Sequence, residues 1–355
     1  MSRRFVNLMV SKLGGRRPAF NLHRIDPAML FSPTGSPKPA DLAAIKKAPA
    51  SDMAPARLPP AAISFYQRNG WMDFMALNDD IMAVDHEGRP LLYDGAVGAV
   101  RVINPMVSTK CSSISLTVGD YLFVMTRDAG RSHQVHHFQA LSFKDWLWHP
   151  LKPLKFNEMD YIWHPSFDNY YKLGLEQLDP FEVCSYTVVG NTEIWISTVG
   201  VGTYSFDARS GIWSKIGDWA LPFSGRAHYV AEHGLWIGFS GDDQLCAADL
   251  QQQPPELPLQ KFPVLYTWKE PSLPEAWTTT AASLFPLGSG KLCTARSFRA
   301  TNGEKLLPDC KHEKVESFAV LAGVEAVKHD GTGSLQIIKH NSVCYNLGEA
   351  AAKPL

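Results

Sequence analysis

From residue 63 to residue 348, short runs rich in β-branched and aromatic residues alternate with Gly, Asp, Asn and Ser. Examples are Ile81-Met-Ala-Val84, Tyr121-Leu-Phe-Val-Met125, Glu193-Ile-Trp-Ile-Ser197, Leu235-Trp-Ile-Gly-Phe239 and Leu335-Gln-Ile-Ile338. Turn pairs such as Asp94-Gly95, Ser210-Gly211, Ser240-Gly241 and Asp330-Gly331 separate such runs. No long segment sustains the 3.6-residue apolar period of a helix. Branched and aromatic side chains pack well on a pleated surface, and Gly and Asn supply the backbone angles of tight turns. The pattern therefore predicts an all-β protein, at this length a sandwich, barrel or propeller.

Repetition narrows the choice. A polar turn before a strong apolar strand recurs at Asn78-Asp-Asp80, Gly119-Asp120, Gly190-Asn-Thr192, Glu232-His-Gly234 and Leu287-Gly-Ser-Gly290. The intervals are roughly 40, 70, 40 and 55 residues, close to propeller blade lengths once insertions are allowed. The long interval contains Lys152–Pro180, which reads as an inserted loop. The expected fold is a single propeller of five or six blades over residues 63–348, with a tail at 349–355.

The N-terminal region divides in two. Phe5-Val-Asn-Leu-Met-Val10 and Ala19-Phe-Asn-Leu-His-Arg-Ile25 flank Gly14-Gly15, the pattern of a hairpin that adds strands to the propeller from residues 1–26. The same stretch is basic and acid-free up to Asp26, which also suits an organelle transit peptide, although serine is sparse. Residues 27–62 form a linker by composition, with Pro27, Pro33, Pro37, Pro39, Pro49, Pro55, Pro59 and Pro60 among many alanines. Proline removes backbone donors and disfavours helix in the residue before it, which leaves only Asp41–Lys47 for a short helix.

One stretch carries a resemblance. Gly202-Thr-Tyr-Ser-Phe-Asp207 leads through a turn into Ile212-Trp-Ser-Lys215. Then come the crossing Ala220-Leu-Pro-Phe223 and the strands Gly225-Arg-Ala-His-Tyr229, Leu235-Trp-Ile-Gly-Phe239 and Cys246-Ala-Ala-Asp249. This resembles a kelch repeat, with Gly238-Phe239 where kelch repeats carry a glycine doublet. Longer blocks resemble the cereal-expanded plant family 1668 of domains of unknown function. They include Arg3-Arg-Phe-Val-Asn-Leu-Met-Val10, Phe20-Asn-Leu-His-Arg-Ile-Asp-Pro27, Trp219-Ala-Leu-Pro-Phe-Ser-Gly-Arg-Ala-His228 and His233-Gly-Leu-Trp-Ile-Gly-Phe-Ser240. That resemblance implies a plant source and a fold, with no established activity.

Composition removes whole classes of function. The 34 basic and 35 acidic side chains give a net charge of −1, which argues against general attraction to nucleic acid or membranes. No apolar run approaches the roughly 20 residues of a membrane-spanning helix. Cys111, Cys184, Cys246, Cys293, Cys310 and Cys344 lack Cys-x-x-Cys spacing, and most lie in apolar runs, as buried reduced thiols do. With no Asn-x-Ser/Thr sequon, a cytoplasmic or nuclear location is expected.

Candidate chemistry is sparse. In His133-Gln-Val-His-His137, His133 and His137 share a strand face roughly 13 Å apart, too far to hold one metal without a bend. Gly288-Ser-Gly-Lys291 lacks the rest of a phosphate loop, with Phe285 and Leu292 where Gly and Ser/Thr are required. Asp79-Asp80 and Asp242-Asp243 suit solvated turns. Trp195, Trp213 and Trp236 in strands, and Trp146 and Trp148 alternating on one strand face, suit packing between blades. Tyr161, Trp163, His164, Phe167, Tyr170 and Tyr171 crowd the insertion, either to contact a partner or to fold down as a cap. Gln251-Gln-Gln-Pro-Pro255 reads as an extended spacer.

No complete catalytic motif, metal site or cofactor site is legible. The expectation is a monomeric, non-catalytic scaffold that binds an unknown protein partner through loops on one propeller face. The alternative is a metal-dependent enzyme or specifier with its site at the propeller channel, where three or more His, Asp or Glu side chains would converge. Plant kelch proteins include iron-dependent specifiers, so the resemblance permits that alternative.

Overall fold

The computed structural model describes residues 4–12, 18–31, 56–67, 70–110, 112–128, 137–156, 181–198, 200–252, 254, 261–268, 277–301, 315–328 and 335–355. The chain packs as two compact units. One comprises Met1–Asn69, Asp243–Leu245 and Trp268–Leu355, and the other Gly70–Asp242 and Cys246–Thr267. Each is built from four-stranded antiparallel meanders, two of which join into one eight-stranded sheet, the all-β, propeller-type architecture expected from the sequence.

In chain order the strands are β1 (Val6–Lys12), β2 (Ala19–Ile25) and β3 (Ala61–Tyr66). There follow β4 (Met72–Leu77), β5 (Asp80–Asp85), β6 (Pro90–Asp94) and β7 (Ala99–Val102). The next set is β8 (Ser113–Val118), β9 (Tyr121–Thr126), β10 (Phe138–Ser142) and β11 (Trp148–Pro150). Then come β12 (Val183–Val189), β13 (Glu193–Thr198), β14 (Gly202–Asp207) and β15 (Ile212–Gly217). After these lie β16 (Ser224–Val230), β17 (Leu235–Phe239), β18 (Leu245–Ala248) and β19 (Tyr266–Trp268). The last are β20 (Trp277–Gly288), β21 (Lys291–Thr301), β22 (Val315–Lys328), β23 (Leu335–Gly348) and β24 (Ala351–Pro354).

Every recurrent turn found in the sequence joins the first and second strands of a four-stranded meander: β4 to β5, β8 to β9, β12 to β13, β16 to β17 and β20 to β21. At two of them both central residues lie at positive φ, Gly190 (59°) with Asn191 (57°) and Ser289 (54°) with Gly290 (71°). These are the left-handed positions of a primed hairpin turn, which Gly and Asn adopt at least cost. Gly288-Ser-Gly-Lys291 is thus the tip of a hairpin, not a strand-to-helix phosphate loop.

In the second unit the meanders β4–β7, β8–β11, β12–β15 and β16–β19 follow one another. The last two join edge to edge through a short parallel pairing, Ser185 with Gly225 and Tyr186 with Arg226. The stretch that resembles a kelch repeat is therefore shared out: β14 and β15 finish one meander, and β16 to β18 begin the next. Strand β9 shows why its sequence lacks polar alternation. Leu122 and Val124 pack with Met75, Met82 and Leu92, while Phe123 and Met125 pack with Ile194, Ile196 and Phe206. A strand buried on both faces must be apolar throughout. The Phe138 and Phe206 rings meet edge-on at 4.8 Å, with Trp213 5.0 Å from Phe206.

Trp236 is buried, donates to the Val188 carbonyl at 3.0 Å and lies 4.6 Å from the Tyr229 ring. Trp195 and Trp219 approach to 5.9 Å. Trp195 and Trp236 take the packing role expected. Trp146 departs from expectation: it precedes β11, in a turn at φ 59°, so it does not share a strand face with Trp148.

In the first unit one sheet has the order β24-β1-β2-β3 and another β20-β21-β22-β23. The N-terminal hairpin is present, with Val6 opposite Ile25 and Lys12 opposite Ala19. Residues 349–355, expected as a tail, instead supply β24, which pairs with β1. A lone edge strand leaves a row of backbone groups unpaired, and β24 covers that row on β1. Of the proline-rich stretch, Pro27–Leu30 forms one turn of 3₁₀ helix capped by the Asp26 carboxylate, and Ala61 already begins β3. Asp41–Lys47 lies outside the described residues. Val6, Leu8, Val10, Ile25 and Leu30 pack with Phe285, Cys293, Leu321 and Tyr345.

Candidate functional site

The first strands of the four meanders in the second unit carry polar residues where they begin. The Asp73 carboxylate, near the start of β4, accepts from the Phe74 N–H at 2.8 Å and from the backbone N–H of Ser113 at 3.0 Å. It also accepts the Ser113 hydroxyl at the start of β8. Just before β8, the buried Lys110 amine donates to the Ser108 carbonyl at 3.4 Å and to its hydroxyl at 3.2 Å. Burial alone pushes Lys110 down to about 7. Gln139 on β10 completes this corner: its amide donates to the Ser108 carbonyl at 2.9 Å and accepts from the Val107 N–H at 2.9 Å.

At the start of β12 the charge is mainly positive. Arg127, following β9, donates to the Val183 carbonyl at 3.3 Å, and Val183 N–H donates back to the Arg127 carbonyl at 2.9 Å. The Cys184 thiol donates to the Ser197 carbonyl at 3.3 Å. Burial raises the thiol to about 11, against the opposing pull of Lys261 and Arg127, so Cys184 is a packed thiol rather than a nucleophile. Glu182 is the acid that acts on the same thiol. On the adjoining first strand, Arg226 stands in register with Tyr186. Its guanidinium is held below its usual range by burial, opposed by Tyr186. None of Arg127, Arg226 and Lys261 is in an ion pair among the described residues. Hydroxyl contacts brace the neighbouring backbone: Ser197 Oγ accepts from Leu221 N–H at 2.9 Å, and Thr203 Oγ1 donates to the Trp219 carbonyl at 2.6 Å.

The insertion opens from this region. Phe156, near its start, and Phe181, just after it, have ring centroids 4.9 Å apart, and Phe156 meets Tyr204 edge-on at 5.4 Å. The loop's two ends are thus fastened together beside β12. Tyr161, Trp163, His164, Phe167, Tyr170 and Tyr171 lie outside the described residues, as do His133 and His136. His137 is described and buried, and its carbonyl accepts from the Thr126 N–H at 3.2 Å.

The acidic pairs serve turns. Asp80 accepts from the Gly95 N–H at 2.8 Å, and its carboxyl is raised mainly by burial. The Asp243 carbonyl accepts from Arg296 at 2.8 Å. Cys246 is pushed up to about 12 by burial, and Cys293 and Cys344 are buried free thiols. Among the described residues no three His, Cys, Asp or Glu side chains converge as metal ligands. No helix among them is long and apolar enough to cross a membrane.

Lys110, Arg127, Tyr186 and Arg226 do not stand out in the sequence as site residues. The available signal is positional: aligning the repeats on their turns puts Asp73, Ser113, Tyr186 and Arg226 early in equivalent first strands. What the sequence conceals is that Arg127 and Arg226 are in no ion pair among the described residues.

No curated protein matches the chain. Among solved structures, Kluyveromyces lactis Hsv2 aligns over 93% of this chain and 83% of its own, at 6% identity and a TM-score of 0.39. Residues 3–345 match the family described as Protein of unknown function (DUF1668), and the chain belongs to that family.

Proposed function

We propose that this protein is a non-catalytic interaction scaffold of the kelch-like propeller type, which holds a protein partner at the end of the second unit where β12 and β16 begin. The observation that carries this reading is the trio Arg127, Arg226 and Lys261, none of which is ion-paired among the described residues. Two such cations acting on one thiol, with a third on the adjoining strand, attract an acidic partner and set its orientation. The hydrogen-bonded hydroxyls and the packed, high-pKa thiols around them hold the backbone rigid and offer no activated nucleophile. The insertion, fastened at Phe156 and Phe181, supplies further contact surface through its aromatic residues, which suit partner binding. The free thiols fit a reducing compartment, cytoplasm or nucleus.

Cross-linking and affinity capture with the full chain test this, with metal analysis run beside them. The wild type is expected to retain a stoichiometric protein partner that the charge-reversed variant Arg127→Glu/Lys261→Glu releases. Equal capture by both would overturn the placement. A stoichiometric bound metal would overturn the pure scaffold.

A further inference from the structure

Arg226 is a desolvated cation in the second unit. Its Nε lies out of reach of solvent without an acceptor, and none of its donors has a partner among the described residues. The residue as a whole is only half-buried, although its guanidinium is desolvated. Residues paired in register on adjoining strands point to the same face, which sets Tyr186 beside Arg226. A guanidinium stays protonated at physiological pH even when burial disfavours its charge. A desolvated cation without a counter-charge is a standing cost to the fold, and an arriving anion removes it.

The geometry points to Arg226, flanked by Tyr186, as the pocket for a carboxylate on an acidic peptide segment of the partner. This inference rests on the scaffold reading and deepens it. A planar guanidinium fork matches a planar carboxylate with two parallel hydrogen bonds, and the Tyr186 hydroxyl adds a donor. Charge balance favours the monoanion. A phosphate dianion calls for further committed donors, whereas Arg127 already donates to the Val183 carbonyl and Lys261 stands exposed. Arg127 and Lys261 are placed instead to meet neighbouring acidic residues of the same peptide. Glu182 beside β12 penalises a phosphate more than a carboxylate, because repulsion grows with the ligand's charge.

The test is nuclear magnetic resonance of the arginine side chains in the full-length protein. The Arg226 Nε–H signal is assigned by its loss in Arg226→Gln. The probes are a capped peptide rich in Glu, the same peptide with Gln in place of Glu, and inorganic phosphate. The expected result is a saturable shift of the Arg226 signal with the Glu peptide. Binding should weaken at least about tenfold with the Gln peptide or in Arg226→Gln, with partial retention in Arg226→Lys. The unliganded Arg226→Gln protein should melt no lower than the wild type, since a partnerless charge is removed; a merely structural arginine would lower it. No shift with the Glu peptide, equal binding by Arg226→Gln, or saturation by phosphate alone would overturn the assignment. Equal capture of one partner by wild type and Arg226→Gln would leave the scaffold standing and remove this pocket. A Glu-peptide shift without any captured partner would leave the pocket and remove the scaffold.

Discussion

Leu8 on β1 lies opposite Pro354 on β24, so the two ends of the described chain share one sheet. The pairing is reinforced by the Leu355 N–H donating to the Asn7 carbonyl at 2.9 Å and by the Ser11 hydroxyl donating to the Ala351 carbonyl at 3.2 Å. A strand of four residues thereby protects an edge that would otherwise expose the core strand β1. Truncation after Ala350 is expected to lower the melting temperature by at least about 5 °C and to promote aggregation. Thermal unfolding followed by circular dichroism, with light scattering, checks this; an unchanged melt would show that β24 contributes nothing.

A second prediction concerns the turn of 3₁₀ helix. A Cβ added at Gly323 would sit 2.5 Å from the Leu30 carbonyl oxygen and 3.0 Å from the Leu30 Cβ. Leu30 is fully buried, and Asn341 donates to the Met29 carbonyl at 3.5 Å, so the segment has little room to retreat. Gly323→Val is expected to cost about 1–3 kcal/mol through overpacking, measured by urea unfolding. Gly323→Ala should cost less, and a neutral Gly323→Val would mean that the turn does not rest on β22.

The Asp73 carboxylate ties β4 to β8 through Ser113. Removing it leaves buried N–H groups without acceptors. Asp73→Ala should lose about 1–3 kcal/mol, and Asp73→Asn less, because its amide oxygen still accepts. Hydrogen exchange at the Phe74 and Ser113 amides should accelerate in Asp73→Ala. Protection equal to the wild type would remove this link from the account of stability.

Lys110 gives a pH dependence with a definite sign. Its folded-state pKa is lowered to about 7 by burial, from a model-peptide value of 10.5. Between those values the unfolded chain binds the proton and the folded chain does not, so stability rises with pH across that window. Below it both states are protonated, and the cost of a buried charge is fully present. Lys110→Met is therefore expected to be more stable than the wild type at pH 7, with the gap narrowing toward pH 10. Urea titrations at pH 7 and pH 9.5 check this; a constant gap would mean that Lys110 titrates normally.

The hairpins were legible in the sequence because their determinants are local. Gly190-Asn191 and Ser289-Gly290 occupy backbone angles that few other residues tolerate, and the strands beside them are fixed in register by the turn itself. The apolar runs announced strands for an equally local reason, as β9 shows by burying both faces. The site was far less visible. Arg226 looks like an ordinary basic residue until Tyr186, forty positions earlier in the chain, is placed beside it and no ion-pair partner is found among the described residues.

The sequence by itself determined the all-β class, the positions of the hairpin turns and the N-terminal strand pair, since steric preference and two-residue periodicity act between neighbours. Only the tertiary structure decided that residues 351–354 pair with β1 and that Trp146 sits in a turn rather than on a strand. It alone shows that Asp73 finds Ser113 while Arg226 finds no counter-charge among the described residues. Strand partners and charge partners are set by contacts between residues distant in the chain, and a local pattern carries no record of which distant groups will meet.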